Sequence, residues 1–377
     1  MKKKILFVIP EYSHGGTNKV LENLLSFLDK KKYDINIFSL YEDGGNYYKN
    51  VFAPYIVKKS GLYYFLHDNV VSRKIMGLYN KITKKNNYTW LYKREANMLQ
   101  SKHHYNTIIA YQEGAATTFV SYITDNVKKI AWVHCDYRNW ASEERKKRDI
   151  YIYEQYHKIV CVSETAKNNF STVFPKYQEK TITVYNVQNR ETIIQMSNQS
   201  VDIPNYDDRK FNIISVGRLS PVKQFDKIPS IISSMGQDII NRIHWYIIGA
   251  GQQDETILNE IRKHGMEKVV IPLGAKNNPY PYFKQSDLYV CTSLSESLPT
   301  VIIEAEILRT PVLSNCFPSA GEAVDRRCGW ICSIDEMPVI IKNIINNKDG
   351  IYTKVKNSIV NYEYDNKSII KQIEELL

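Results

Sequence analysis

Short apolar runs alternate with helix-like segments along most of this chain, and that alternation limits its fold more than any other feature. Residues 4–9, 35–40, 107–111, 129–134 and 159–162 are apolar runs of strand length. Between them lie segments with helical spacing, among them 17–28, 115–122, 142–156 and 164–173. Strands that are apolar on both faces and joined by helices belong to a parallel sheet with helices covering both sides. The series restarts at residue 211 and continues to about 347, so two doubly wound α/β domains are predicted. The first spans 1–188, the second 211–358. The Asn-, Gln-, Ser- and Asp-rich stretch 189–210 reads as a linker. Residues 46–101 exceed an ordinary crossover and read as a helical insertion, and the last segment, 359–377, ends in a helix.

Composition narrows the class further. The chain has 377 residues, 43% of them hydrophobic, enough for two ordinary cores. No apolar run reaches the length of a membrane-spanning helix, and the short run after Lys2-Lys3-Lys4 ends at Pro10-Glu11, as a first strand would. None of the six cysteines forms a C-x-x-C pair, which suits buried thiols in a reducing compartment. The net charge of +10 is uneven. Residues 1–188 hold 29 Lys and Arg against 17 Asp and Glu, and the remainder holds 21 against 23. Ten of the cations fall in 58–102, interleaved with aromatic and aliphatic residues. Such a pattern suits an anionic membrane surface or a solvated insertion; no nucleic-acid motif accompanies it. Gly15-Gly16 is not a dinucleotide fingerprint, which argues against a nicotinamide enzyme.

Two motifs carry the chemistry. Ser295-Glu296-Ser297-Leu298-Pro299-Thr300-Val301-Ile302-Ile303-Glu304-Ala305 reads as a loop leading into a helix that is apolar almost all round and therefore buried. Glu304 sits inside that helix, where a carboxylate needs partners. Backbone amides under a loop would serve it, and so would ligand hydroxyls. The helix N-terminus offers N–H groups and a positive dipole end to an anion. The second motif, Val216-Gly217-Arg218-Leu219-Ser220-Pro221-Val222-Lys223, follows a buried strand. Ligands of open α/β sheets sit outside the carboxyl ends of strands, where an Arg fork and a Lys point charge suit a diphosphate.

With these residues the chain resembles the retaining, nucleotide-sugar-dependent glycosyltransferases of family 4, also called group 1. Glu296 and Glu304 match the family's E-x7-E pair, and residues 216–223 match its V-G-R-L-x-x-x-K segment. Trp245 to Gly251 resembles the strand ending in G-x-G, and Gly274 with Tyr282 to Val290 matches the stretch that leads into the E-x7-E loop. Pro10 to Gly16 and Ala131-Trp132-Val133-His134 resemble the glycine loop and histidine strand of the first domain. Ser297, where Gly is usual, and Leu298, where an aromatic is common, depart from the pattern.

The resemblance implies the GT-B fold: two Rossmann-like doubly wound parallel-sheet domains facing a central cleft, with a C-terminal helix crossing back to the first. It implies a UDP-sugar as the expected donor, held by Arg218, Lys223, Glu296, Glu304, by the segment Leu298, Pro299, Thr300 and Val301, and by Gly15 and Gly16, with His14 and Thr17 beside them. Glu296, His134, Arg218 and Lys223 would act at the reacting centre, and Glu113 and Asp136 are candidates for the acceptor. No D-x-D occurs, so the two cations are expected to replace a metal, and no cofactor is implied. The expected setting is bacterial polysaccharide assembly at the cytoplasmic face of a membrane. The acceptor would be a glycan or lipid-linked glycan, with nucleic acid excluded. Alternatives are an inactive glycosyltransferase-like partner subunit, a protein-directed transferase, or a GT-B epimerase or phosphorylase.

Overall fold

The computed structural model describes every residue except 14, 43–45, 70, 73, 75, 76 and 79–87. The chain forms two compact units, Met1–Val187 with Lys367–Leu377, and Gln188–Asn366. Both are built on six-stranded sheets in which every pairing is parallel. This is the doubly wound arrangement that the alternating pattern predicts.

In the first unit β1 (Lys3–Ile9), β2 (Tyr33–Ser39), β3 (Thr107–Ala110), β4 (Lys128–Val133), β5 (Lys158–Cys161) and β6 (Thr181–Thr183) lie in the order β2-β1-β3-β4-β5-β6. Alternate residues point to opposite faces. Leu6, Val8, Ile108, Ala110, Ala131, Val133, Ile159 and Cys161 enter one core with Phe119, Tyr153, Phe170 and Phe174. The helix Asn366–Leu376 buries Ile369, Ile373 and Leu376. It is tied to this unit by the Thr107 hydroxyl, which donates to the Leu377 carbonyl at 3.0 Å. That buried bond matters more than the exposed Lys32–Glu374 pair at 3.1 Å, because solvent screens the latter.

The second unit contains β7 (Phe211–Val216), β8 (Ile243–Ile248), β9 (Val270–Gly274), β10 (Leu288–Cys291), β11 (Val312–Asn315) and β12 (Gly329–Cys332). Their order, β12-β11-β10-β7-β8-β9, reverses direction between β7 and β10. Chains leaving those two strands diverge to opposite sides and open a crevice at the carboxyl edge, the usual ligand position in such sheets.

Two boundaries differ from expectation. The stretch 189–210 is not a linker: Arg190–Ser197 is a helix, and its cap residue Asn189 accepts the Thr192 amide at 3.0 Å. Ile193 is buried, and Asn278 donates to the Met196 carbonyl at 2.9 Å. The polar composition that suggests a loop belongs to a capped helix. Residues 359–366 likewise belong to the second unit, whose end is Asn366. Arg309 fixes them there by donating to the carbonyls of Ile359 and Tyr362 at 2.7 and 2.6 Å.

Candidate active site

The loops after β7 and β10 are bound to each other at the point where the second sheet reverses. Leu294 N–H donates to the Val222 carbonyl at 2.8 Å, and the Thr292 hydroxyl donates to the Lys223 carbonyl at 2.6 Å. Lys223 Nζ lies 2.5 Å from Glu296 Oε1, with 19% and 16% of the two side chains exposed. Burial is the largest single influence and works against the Lys223 ammonium, but the Glu296 charge, the hydrogen bond to it and Cys291 together hold the pKa above its ordinary value. The expected phosphate cation and the expected sugar binder are therefore partners of each other. Arg218, five residues earlier, is exposed.

Glycines make room for this loop. A Cβ on Gly249 would lie 1.9 Å from the Gly217 carbonyl oxygen, and one on Gly251 would lie 2.2 Å from that of Leu219. The segment after β8 thus lies directly against the Arg218 loop, and Leu219 N–H donates to the Ala250 carbonyl at 3.1 Å. On the other side, Ser319 donates to the Glu296 carbonyl at 2.7 Å and Asn315 to that of Ser293 at 2.9 Å.

The helix after Glu296 runs Thr300–Ile307, with Pro299 as its cap residue and no side-chain cap. Pro299 therefore directly precedes the first turn. Leu298 is buried; Thr300 and Val301 are half-buried at the start of the helix. Glu304 is buried in the body of the helix with Tyr280 OH 3.4 Å from its Oε1. Glu306, two residues on and so on a different face, is a second buried carboxyl that the sequence pattern does not single out. It accepts the Asp325 amide at 2.8 Å, and burial pushes its pKa up to about 8.

The first unit carries its own cluster at the carboxyl ends of β3 and β4. His134 follows β4, its ring 4.9 Å from that of Tyr111. Burial pushes its pKa down to about 3, so the imidazole is neutral at physiological pH. Its Nε2 is buried with no hydrogen-bond partner among the described residues. The two acceptor candidates take other roles here. Glu113 is buried and its Oε2 accepts the His134 amide at 2.9 Å. Asp136 caps the turn Tyr137–Trp140, accepting from Arg138 N–H at 3.1 Å and from Asn139 Nδ2 at 2.8 Å. Gly15 is extended at the cap of helix Gly16–Phe27, and a Cβ on Gly16 would meet nothing within 4 Å. Among the described residues nothing demands glycine at position 16. His14 lies outside the described residues; Thr17 is half-buried in the first turn.

The insertion presents Tyr47, Leu62, Tyr64, Phe65, Val71, Leu78 and Trp90 to solvent, Tyr64 and Phe65 at 56% each. Lys58, Lys74, Lys93, Arg94 and Lys102 are exposed beside them in sequence. Lys59 is not part of this surface; its ammonium is buried 2.6 Å from Asp68. Lys81, Lys84 and Lys85 lie outside the described residues. Among the described residues no helix is long and apolar enough to cross a membrane, and no three His, Cys, Asp or Glu gather as metal ligands would.

Comparison with known proteins agrees with this fold. Residues 197–346 match the family model described as Glycosyl transferases group 1. A glycosyltransferase of Haemophilus influenzae is 26% identical over 389 aligned positions, covering all of both chains. The amylovoran biosynthesis glycosyltransferase AmsD of Erwinia amylovora is 24% identical, covering 85% of this chain and 83% of its own. The crystal structure of Anabaena HepE in complex with UDP superposes with a TM-score of 0.73 at 17% identity, over 100% of this chain and 99% of that one.

Removing one member of the Lys223–Glu296 pair should strand the other in a largely buried place. Lys223→Met is expected to cost about 1–3 kcal/mol, between the values for exposed and fully buried pairs. Adding Glu296→Gln should cost less than the sum of the single losses by about 1 kcal/mol or more. Urea unfolding followed by tryptophan fluorescence measures this, and strictly additive losses would deny the pairing.

Proposed function

We propose that this group 1 glycosyltransferase of the GT-B fold moves a sugar from a UDP-sugar to a glycan or lipid-linked glycan, keeping the anomeric configuration, in the assembly of a bacterial polysaccharide. The observation that carries the donor half is the Lys223–Glu296 pair at the β7/β10 crevice, with Arg218 in the same loop as Lys223 and Glu304 in the helix after Glu296. The UDP complex of HepE supports the choice of nucleotide, and the role named for AmsD supports the choice of pathway.

Arg218 and Lys223 neutralise the diphosphate, with the amides at the start of helix Thr300–Ile307 as further donors. When the bond from the anomeric carbon to the phosphate oxygen breaks, charge grows on that oxygen, and fixed cations aimed at it lower the barrier. They take the place of a metal. Lys223 leaves Glu296 for the phosphate, and this frees the carboxylate to accept from a hydroxyl of the sugar. Glu304 accepts from the ribose. The His134 imidazole, neutral and with a buried, unpartnered Nε2, is assigned to a sugar hydroxyl. In a front-face substitution the acceptor oxygen bonds to the anomeric carbon while its proton passes to the departing phosphate oxygen. A double displacement would need a carboxylate nucleophile beneath that carbon, and Glu296 is assigned to hydroxyl binding instead.

The donor half is tested with UDP and UDP-sugars. Glu304→Gln should weaken UDP binding about tenfold or more, the loss of a charged hydrogen bond, and Glu296→Gln should leave UDP binding within about threefold while lowering turnover. EDTA should leave turnover unchanged, and NMR of the product should show the donor's anomeric configuration. Equal losses of UDP affinity in both variants, or full metal dependence, would refute these roles.

The exposed aromatic and basic insertion supports a peripheral place on the anionic, cytoplasmic face of a membrane, where a lipid-linked acceptor is presented. Each nearby cation contributes about 1 kcal/mol and each buried aromatic adds apolar area. Tyr64→Ser with Phe65→Ser should lower binding to phosphatidylglycerol vesicles about tenfold or more, with turnover on a soluble acceptor analogue retained. A wild type that ignores such vesicles at low salt would point to a soluble acceptor.

A further inference from the structure

The helix Arg190–Ser197, which composition disguises as a linker, is fastened to a shorter helix, Tyr280–Lys284. Side chains make the joints at both ends of the short helix. Asn278 donates to the Met196 carbonyl at 2.9 Å and to Gln199 Oε1 at 2.8 Å, and Lys284 Nζ donates to Asn198 Oδ1 at 2.7 Å. The short helix is also tied to the end of Thr300–Ile307, the helix that carries Glu304. Thr310 N–H donates to the Ala305 carbonyl at 3.0 Å, and the Thr310 hydroxyl donates to the Phe283 carbonyl at 2.9 Å. Three helices of the second unit are thereby braced into one block.

Tyr280 opens the short helix inside that block. Pro279 and Pro281 fix φ on both sides of it, and its amide donates to Asn278 Oδ1 at 3.2 Å. Tyr280 is 3% exposed, so a phenol there needs a protein partner. Its hydroxyl lies 3.4 Å from Oε1 of Glu304, which is itself buried. An ionised carboxylate can only accept, so the phenol is the donor. The separation exceeds the usual O–H···O distance of about 2.7–2.8 Å, and hydrogen bonds in active sites often tighten once the ligand is bound. The last torsion of a glutamate is soft, so the direction of its oxygens follows what they bond to. Tyr280 offers Glu304 a donor that cannot shift without disturbing the brace.

We infer that Tyr280 is a positioning residue for Glu304: held by the braced block, its hydroxyl donates to Oε1 and fixes the carboxylate in the orientation that accepts from the ribose hydroxyls of the nucleotide. The inference rests on the proposed ribose role of Glu304, and its test separates the two.

Tyr280→Phe keeps the ring and removes only the donor. Isothermal titration calorimetry should show UDP bound about 3- to 10-fold more weakly, as for the loss of one hydrogen bond, with the melting temperature little changed. The analogue 2′,3′-dideoxy-UDP lacks the ribose hydroxyls, so Tyr280→Phe should bind it as the wild type does; a purely structural role would weaken both ligands alike. Asn278→Ala loosens the brace without touching Glu304 and should also weaken UDP while sparing the dideoxy analogue. Wild-type affinity for UDP in Tyr280→Phe, or equal losses for the two ligands, overturns the inference even where Glu304→Gln loses UDP as expected. Wild-type UDP affinity in Asn278→Ala overturns the part given to the brace. Glu304→Gln with wild-type affinity for UDP would instead overturn the ribose role of Glu304.

Discussion

The ion pair between Lys223 and Glu296 is the contact on which the second unit's site depends. Its two members come from loops that leave neighbouring strands in opposite directions, so nothing in local sequence brings them together. The sheet does, by placing β7 beside β10 with the reversal of strand order between them. Two backbone-directed bonds then hold the loops in place, from Leu294 to Val222 and from Thr292 to Lys223. The pair keeps a largely buried ammonium charged while no phosphate is present. An unpaired lysine in the same place would lose its proton more readily.

The remainder of that unit is arranged around this loop. Gly249 and Gly251 have no side chain because the Arg218 loop occupies the space where one would go. Ser319 and Asn315 hold the Glu296 loop from the other side. Glu304 lies in the helix that follows, flanked by Ile302, Ile303, Ala305 and Ile307. The first unit solves a similar problem differently. Its β3 and β4 ends are joined by the Glu113 carboxylate, which accepts the backbone amide of His134. In both units the ladder stops short of the functional residues, and side chains continue its work.

Features with a strong period or a local chemical cost were legible in the sequence. The parallel sheets follow from runs apolar on both faces, such as Ile243–Ile248, every residue of which is buried. Glu304 stands out as a charge within an apolar helix, and Arg218 and Lys223 as cations after a buried strand. The pairing of Lys223 with Glu296 was not legible, because it joins residues 73 positions apart. Neither was the bond from the His134 amide to Glu113, which joins the ends of two neighbouring strands. Asp136 looked available for a ligand, but it occupies the position before a short helix, where Asp is a common cap. The supposed linker misled for a related reason, since Asn189 is a cap and reads as loop by composition. Glu306 was missed because it lies beside Glu304, and only the structure separates their faces.

A crystal structure of the chain with UDP is the most direct test of the donor site. It should show the diphosphate within hydrogen-bond reach of both Arg218 and Lys223, the ribose hydroxyls on Glu304, and Lys223 drawn away from its 2.5 Å contact with Glu296. UDP bound outside the β7/β10 crevice, or bound there with the Lys223–Glu296 pair intact and neither cation on a phosphate, would contradict the central claim.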